Sequence, residues 1–217
     1  MDIVTTIFLF LAIGLWAYVQ HKDRISVNTK IAKELNWTYQ VETFEKGLYF
    51  FLSKIQKTSR IWSFKGVYKD VKFKLFEIGQ QYLGVEFEDD HKFFGFQLVT
   101  RDFLDLRMNR WSRELNIANL ESNEFRKQFQ LFSVGTAQAY YDLDPDSMAA
   151  LLDLRHKFGA LGLEAKAHKV LVYGHYAPYV TLWREQRINK GGMDLETKKQ
   201  IFLDFLEIAY QINQALK

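Results

Sequence analysis

Several groups of side chains in this sequence have types and spacings that can support chemistry. Asp142, Asp144, Asp146 and Asp153 carry the first, third, fifth and twelfth positions of a calcium-binding loop. Such a loop needs glycine at its sixth position, where Ser147 stands, and Pro145 begins a helix through the ligand positions, so these acids are read as complementing a helix N-terminus. None of the 5 histidines takes an HExxH spacing, and with 0 cysteines there is no thiolate site, cysteine nucleophile or disulfide. Asp89, Asp90 and His91 form a carboxylate and imidazole group, a composition that a hairpin tip demands in any case. Arg107, Arg110 and Arg113 recur every three residues and line one helical face, the candidate face for an anionic headgroup, a phosphoryl ligand or an acidic partner, although Asp102, Asp105 and Glu114 are near enough to neutralise part of it. With no GxSxG elbow and no GxxxxGKS or GxGxxG loop, no catalytic, cofactor or metal residue is assigned. The reading leans away from an enzyme.

The elements that must position these groups begin with an apolar run. Ile3 to Val19 contains no charge and as a helix covers roughly 26 Å, enough to cross a bilayer, with Ile3, Phe8, Leu11, Leu15 and Val19 spaced along it. Trp16 and Tyr18 close the run, and Lys22, Arg24, Lys30 and Lys33 follow, which places the N-terminus outside and the remainder in the cytoplasm of a bacterial inner membrane. A cleaved signal peptide lacks support, because no basic n-region precedes the run and no small-residue cleavage site precedes His21. The net charge of +3 is too mild to point to nucleic acid. The expected partners are the bilayer and another protein.

The remainder reads as an α+β domain, 217 residues at 48% hydrophobic content being ample for a core. Ser26 caps a short helix carrying Val27, Ile31 and Leu35. Alternating runs over Ile61–Tyr68, Val71–Leu75 and Phe94–Leu98 predict antiparallel strands in a meander, with turns at Lys69–Asp70 and at Asp89–His91. Ser122 caps a short helix, Phe129 and Leu131 face the core of a strand, and a further strand is expected near Thr136–Tyr141. Asp144 and Pro145 open a helix buried through Met148, Leu151, Leu152 and Phe158 and ended by Gly159. Leu163 to Val172 predicts a hairpin carrying His168. A last helix from Asp194 bears a stripe of Leu195, Phe202, Phe205, Ala209, Ile212 and Leu216, with Lys198, Asp204 and Glu207 elsewhere on its surface. Phe202, Phe205 and Ile212 are its candidate contacts for a partner helix. The expected organisation is an anchor over 1–24, a juxtamembrane helix and linker over 25–60, the α+β domain over 61–190, divisible into lobes of 61–115 and 116–190, and an amphipathic helix over 191–217.

The stretch AKELNWTYQ, the strand pair FKGVYKDVKFKLFEIG, the segment ESNEFRKQFQLFSVGTAQAYYDLDPDSMAALLDL and the run LGLEAKAHKVLVYG together resemble the DUF3137 family of bacterial membrane-anchored proteins of unknown function, over roughly residues 32 to 185. The resemblance implies an anchored α+β domain and brings no catalytic or binding residues. The expected function is that of an accessory or scaffold protein whose cytoplasmic domain binds a protein partner. The alternatives are a sensor of anionic lipid or phosphoryl ligand through the arginine face, and a hydrolase with a site assembled from distant segments.

Overall fold

The computed structural model describes residues 3–43, 60–78, 82–104, 116–117, 122–133, 135–157, 160–189 and 194–216. It opens with helix α1 (Ile3–Glu34), which is continuous where an anchor and a separate helix capped at Ser26 were expected. No glycine or proline falls between Val19 and Ser26, so nothing in the backbone interrupts it. Asn36, at φ 55°, closes it: the Trp37 N–H donates to the Ala32 carbonyl at 2.8 Å and the Asn36 N–H to that of Lys33 at 3.4 Å. Among the described residues no helix is long and apolar enough to cross a membrane; the side chains at positions 3, 4, 10, 16, 17, 20 and 21 of α1 lie outside the description.

The strands are β1 (Thr38–Thr43), β2 (Arg60–Tyr68), β3 (Val71–Ile78), β4 (Tyr82–Thr100), β5 (Asn116–Ile117), β6 (Phe129–Ser133) and β7 (Leu161–Gly174), in one antiparallel sheet. β1 to β4 form the expected meander, and the Lys69–Asp70 turn holds both residues at positive φ, 47° and 66°, the geometry of a two-residue hairpin loop. One sheet face carries Phe64, Leu75, Val85, Val172, Leu163 and Leu98 into the main core. The helices are α2 (Arg101–Leu104), α3 (Asn123–Gln128), α4 (Thr136–Asp142), α5 (Pro145–Leu154), α6 (Ala177–Asn189) and α7 (Leu195–Gln214). Ser122 and Asp144 cap α3 and α5 as expected, and Asp194 caps α7. A single 3-10 turn, Arg155–Lys157, follows α5; Phe158 and Gly159 lie outside the described residues.

Two expectations are corrected. Thr136–Tyr141 is the helix α4 rather than a strand: its alternation is short, and Ala139 and Asp142 are the buried positions. Asp89–His91 is not a tight hairpin tip but lies within β4, where the register with β7 shifts from Glu88↔Lys169 to Phe93↔Ala167 and then Phe96↔Ala165. β7 itself doubles back about Ala167, at φ 54°. The His175 N–H donates to the Ala160 carbonyl at 3.1 Å, and a Cβ on Gly162 would lie 2.4 Å from the Tyr173 ring, so the two ends of the strand lie side by side as the expected hairpin requires. The halves of β4 therefore flank this hairpin, 83–88 along 169–174 and 96–99 along 162–165.

Aromatic rings lie across glycines in this sheet: Phe76 over Gly84 and Tyr173 over Gly162, with both rings buried. Gly162→Ala is expected to lower stability by about 1–3 kcal/mol through overpacking, measured by urea unfolding; an unchanged midpoint would show that the Tyr173 ring moves aside freely.

Candidate functional site

Four polar side chains occupy positions that patterning assigns to the core. On α1, Arg24 and Asn28 extend the stripe of Ile31 and Leu35; on β3, Glu77 follows Phe73 and Leu75 at period two; on α7, Lys198 stands one turn before Phe202. The fold brings them together where α1 leaves the domain. Lys198 and Glu77 side chains are 0% exposed, and Arg24 is 10% exposed. The Lys198 Nζ lies 2.6 Å from Glu77 Oε1 and donates to Asn28 Oδ1 at 2.8 Å. The Tyr179 hydroxyl, from α6, donates to the same Glu77 oxygen at 2.6 Å, while Arg24 pairs with Oε2 and lies 4.8 Å above the centre of the Trp62 ring. The sequence reading set Lys198 on the surface of the last helix. The structure corrects this, because its stem runs along the apolar stripe and its charge meets a carboxylate from the sheet.

Burial alone would raise the Glu77 carboxyl, but Arg24 and Lys198 beside it prevail and hold it down to about 2. Burial pushes Lys198 down to about 8, helped by the neighbouring Arg24 and opposed by Glu77. The arrangement has no nucleophile paired with a base. Its chemistry is electrostatic: it fastens α1 and α7 to β3 through charges removed from water.

A second constellation lies where β4 leaves its register with β7. Asp142, the last residue of α4, accepts the Phe94 and Gly95 backbone N–H groups at 2.9 Å each, with Gly95 at φ 124°. This holds Phe94 and Tyr141 with ring centres 5.0 Å apart and both more than half exposed, and His91 stacks on Tyr141 at 5.6 Å. Asp142 and Asp144 are thus engaged with backbone amides, Asp144 accepting the Ser147 N–H at 2.8 Å. Among the described residues no group of three or more His, Cys, Asp or Glu is placed to hold a metal.

Arg107, Arg110 and Arg113 lie outside the described residues. Phe202, Phe205 and Ile212 are buried in their own domain, Phe202 5.2 Å from Phe64 and Phe205 5.4 Å from Tyr176 between ring centres. Of the apolar run, Phe8, Leu11, Leu15 and Val19 are 45–67% exposed; Ile3 begins the helix.

An antiparallel sheet with helices on its main core face, entered by one long helix that continues beyond the domain, defines an α+β protein built on a protruding N-terminal stem. Residues 80–217 match the family described as "Protein of unknown function (DUF3137)", and the chain belongs to that family. The match takes in α7 and Lys198, which the sequence resemblance left out, and begins after Glu77. The crystal structure of the mycobacterial trehalose monomycolate transport factor A, TtfA, is similar in fold, with a TM-score of 0.56 and 11% sequence identity, over 88% of this chain and 92% of that one. No curated protein matches the sequence.

Glu77→Gln is expected to destabilise by about 3–5 kcal/mol, since it leaves buried cations without their counter-charge, whereas Lys198→Met leaves a balanced Arg24–Glu77 pair and costs less. Equal losses in urea unfolding would contradict this account. Lys198 binds its proton less tightly folded than unfolded, so its contribution to stability rises with pH from about 8 toward its ordinary 10.5. The Glu77 contribution is complete above its ordinary 4.5 and is lost as pH falls toward 2. Stability measured at stepped pH should lose the alkaline rise in Lys198→Met.

Proposed function

We propose that this protein is a membrane-tethered accessory protein whose domain is held at the cytoplasmic face of a bacterial inner membrane and engages a protein partner there. The observation that carries the reading is the division of α1. Its C-terminal turns bury Asn28, Ile31 and Ala32 in the domain, while Ile7, Phe8, Leu9, Leu11, Ile13 and Leu15 on its N-terminal turns are 51–67% exposed. Water does not favour such a surface, and a run of exposed large apolar side chains suits hydrocarbon. Lys22, Arg24, Lys30 and Lys33 after the run favour an inside domain. The fold shared with a transport factor suits an accessory role. Phe94 and Tyr141 give the partner a rigid aromatic contact where β4 leaves its register with β7.

The full chain is expected to stay with vesicles through alkaline carbonate, and its release would overturn the tether. The absence of cysteine allows orientation to be read directly: Asp146→Cys, on an exposed turn, should react with a membrane-impermeant maleimide in inside-out vesicles and not in intact spheroplasts. If a partner docks on the aromatic end, Phe94→Ser with Tyr141→Ser should release a protein that co-purifies stoichiometrically with the detergent-extracted chain; co-purification unaffected by the pair would exclude that face.

A further inference from the structure

The charges at the foot of α1 do not balance. Among the described residues Arg24 and Lys198 face Glu77 alone, with all three side chains nine-tenths or more buried, and the hydroxyls of Tyr39 and Tyr179 add no charge. Arg24 Nε is buried and makes no hydrogen bond among the described residues, while Asn28 Nδ2, also buried, has the Tyr39 hydroxyl oxygen beside it. One surplus positive charge and a buried guanidinium N–H without an acceptor specify a complement: a single anion that offers acceptor oxygens. Position narrows it further. Arg24 follows Val19 by little more than one turn of an unbroken helix, about 7.5 Å along its axis, which is the depth of the headgroup layer beyond the hydrocarbon. Lys22, Asp23 and Ile25 are exposed beside it, so the approach to Arg24 runs along the stem, past one acid and one further base.

We propose that the foot of α1 is a receptor for one phosphate group, with the phosphodiester of an anionic lipid headgroup as its source. The proposal rests on the insertion of α1 in the membrane. The Arg24 guanidinium, the one charged member of the cluster with any exposure, donates to the phosphate oxygens, and the buried Lys198 ammonium behind it, held by Asn28, supplies the charge that Glu77 leaves over. The bound anion neutralises the cluster and ties the domain to the bilayer surface at a second point beside the helix.

The test uses thermal unfolding of the full chain in nanodiscs of phosphatidylcholine, alone or mixed with phosphatidylglycerol, and in phosphatidylcholine discs with inorganic phosphate added. Phosphatidylglycerol should raise Tm by about 5 °C at saturation. Lys198→Met and Asn28→Leu should each abolish most of that rise by different means, so that one variant carries the test if the other does not fold. Lys22→Gln should retain it. An equal rise with inorganic phosphate would support the receptor and assign it a soluble source. No rise with either, or a rise kept by Lys198→Met and Asn28→Leu but lost in Lys22→Gln, would overturn it in favour of general attraction between basic residues and an anionic surface. Carbonate extraction distinguishes the two failures: release of the chain sinks the tether, while the response to phosphate in detergent still reads the receptor.

Discussion

The Glu77 carboxylate is the point on which the architecture turns. It belongs to the middle of the sheet, and its cations come from the first and last helices of the chain. Removing charges from water is costly, and in a buried cluster that cost is offset only when geometry satisfies each partner closely. The alignment of α1 on the sheet is consequently specified more sharply than hydrophobic contact alone would do, because a slip of one residue turns Arg24 by about 100° away from its acceptor. Hydrophobic packing supplies most of the attraction, through Ile31, Phe64, Phe202 and Phe205, and the charges select one orientation.

The same division of labour recurs elsewhere in the sheet. The strand pairing would tolerate several conformations where β4 leaves its register with β7, yet Asp142 takes both amide protons of the Phe94–Gly95 segment and fixes one of them. At the hairpin between β2 and β3, Glu207 of α7 accepts from the Tyr68 hydroxyl at 2.5 Å and from Lys69 at 2.9 Å, so the turn is fastened to the last helix. Asp142 and Glu207 thus act as acceptors for particular segments of chain.

Much of this was legible in the sequence wherever a local rule acts alone. The Lys69–Asp70 turn, the caps at Ser122, Asp144 and Asp194, and the stripe of α7 follow from short-range patterning, and the family resemblance took in the first three of these but not the cap at Asp194 or α7. What escaped required long-range knowledge. Thr136–Tyr141 alternates like a strand, and only the tertiary setting makes it a helix. The interruption at Asp89–His91 depends on where β7 lies, more than seventy residues later in the chain. The charge cluster had a signal that went unused: Arg24, Asn28, Glu77 and Lys198 each interrupt an apolar face at its own period, and a polar residue on such a face predicts a buried partner. Which partner it finds, no periodicity can say.

The placement of the β7 hairpin between the two halves of β4 has a kinetic side. During synthesis the stem and the first meander emerge well before residues 161–174 exist, so the growing polypeptide carries a sheet with a slot in it. Both walls of that slot present unpaired backbone until the hairpin arrives, and such edges invite mispairing with neighbouring chains. Closure is a late, long-range event that makes folding slow relative to helix formation. Until that segment arrives, the nascent sheet depends on whatever keeps it apart from its siblings.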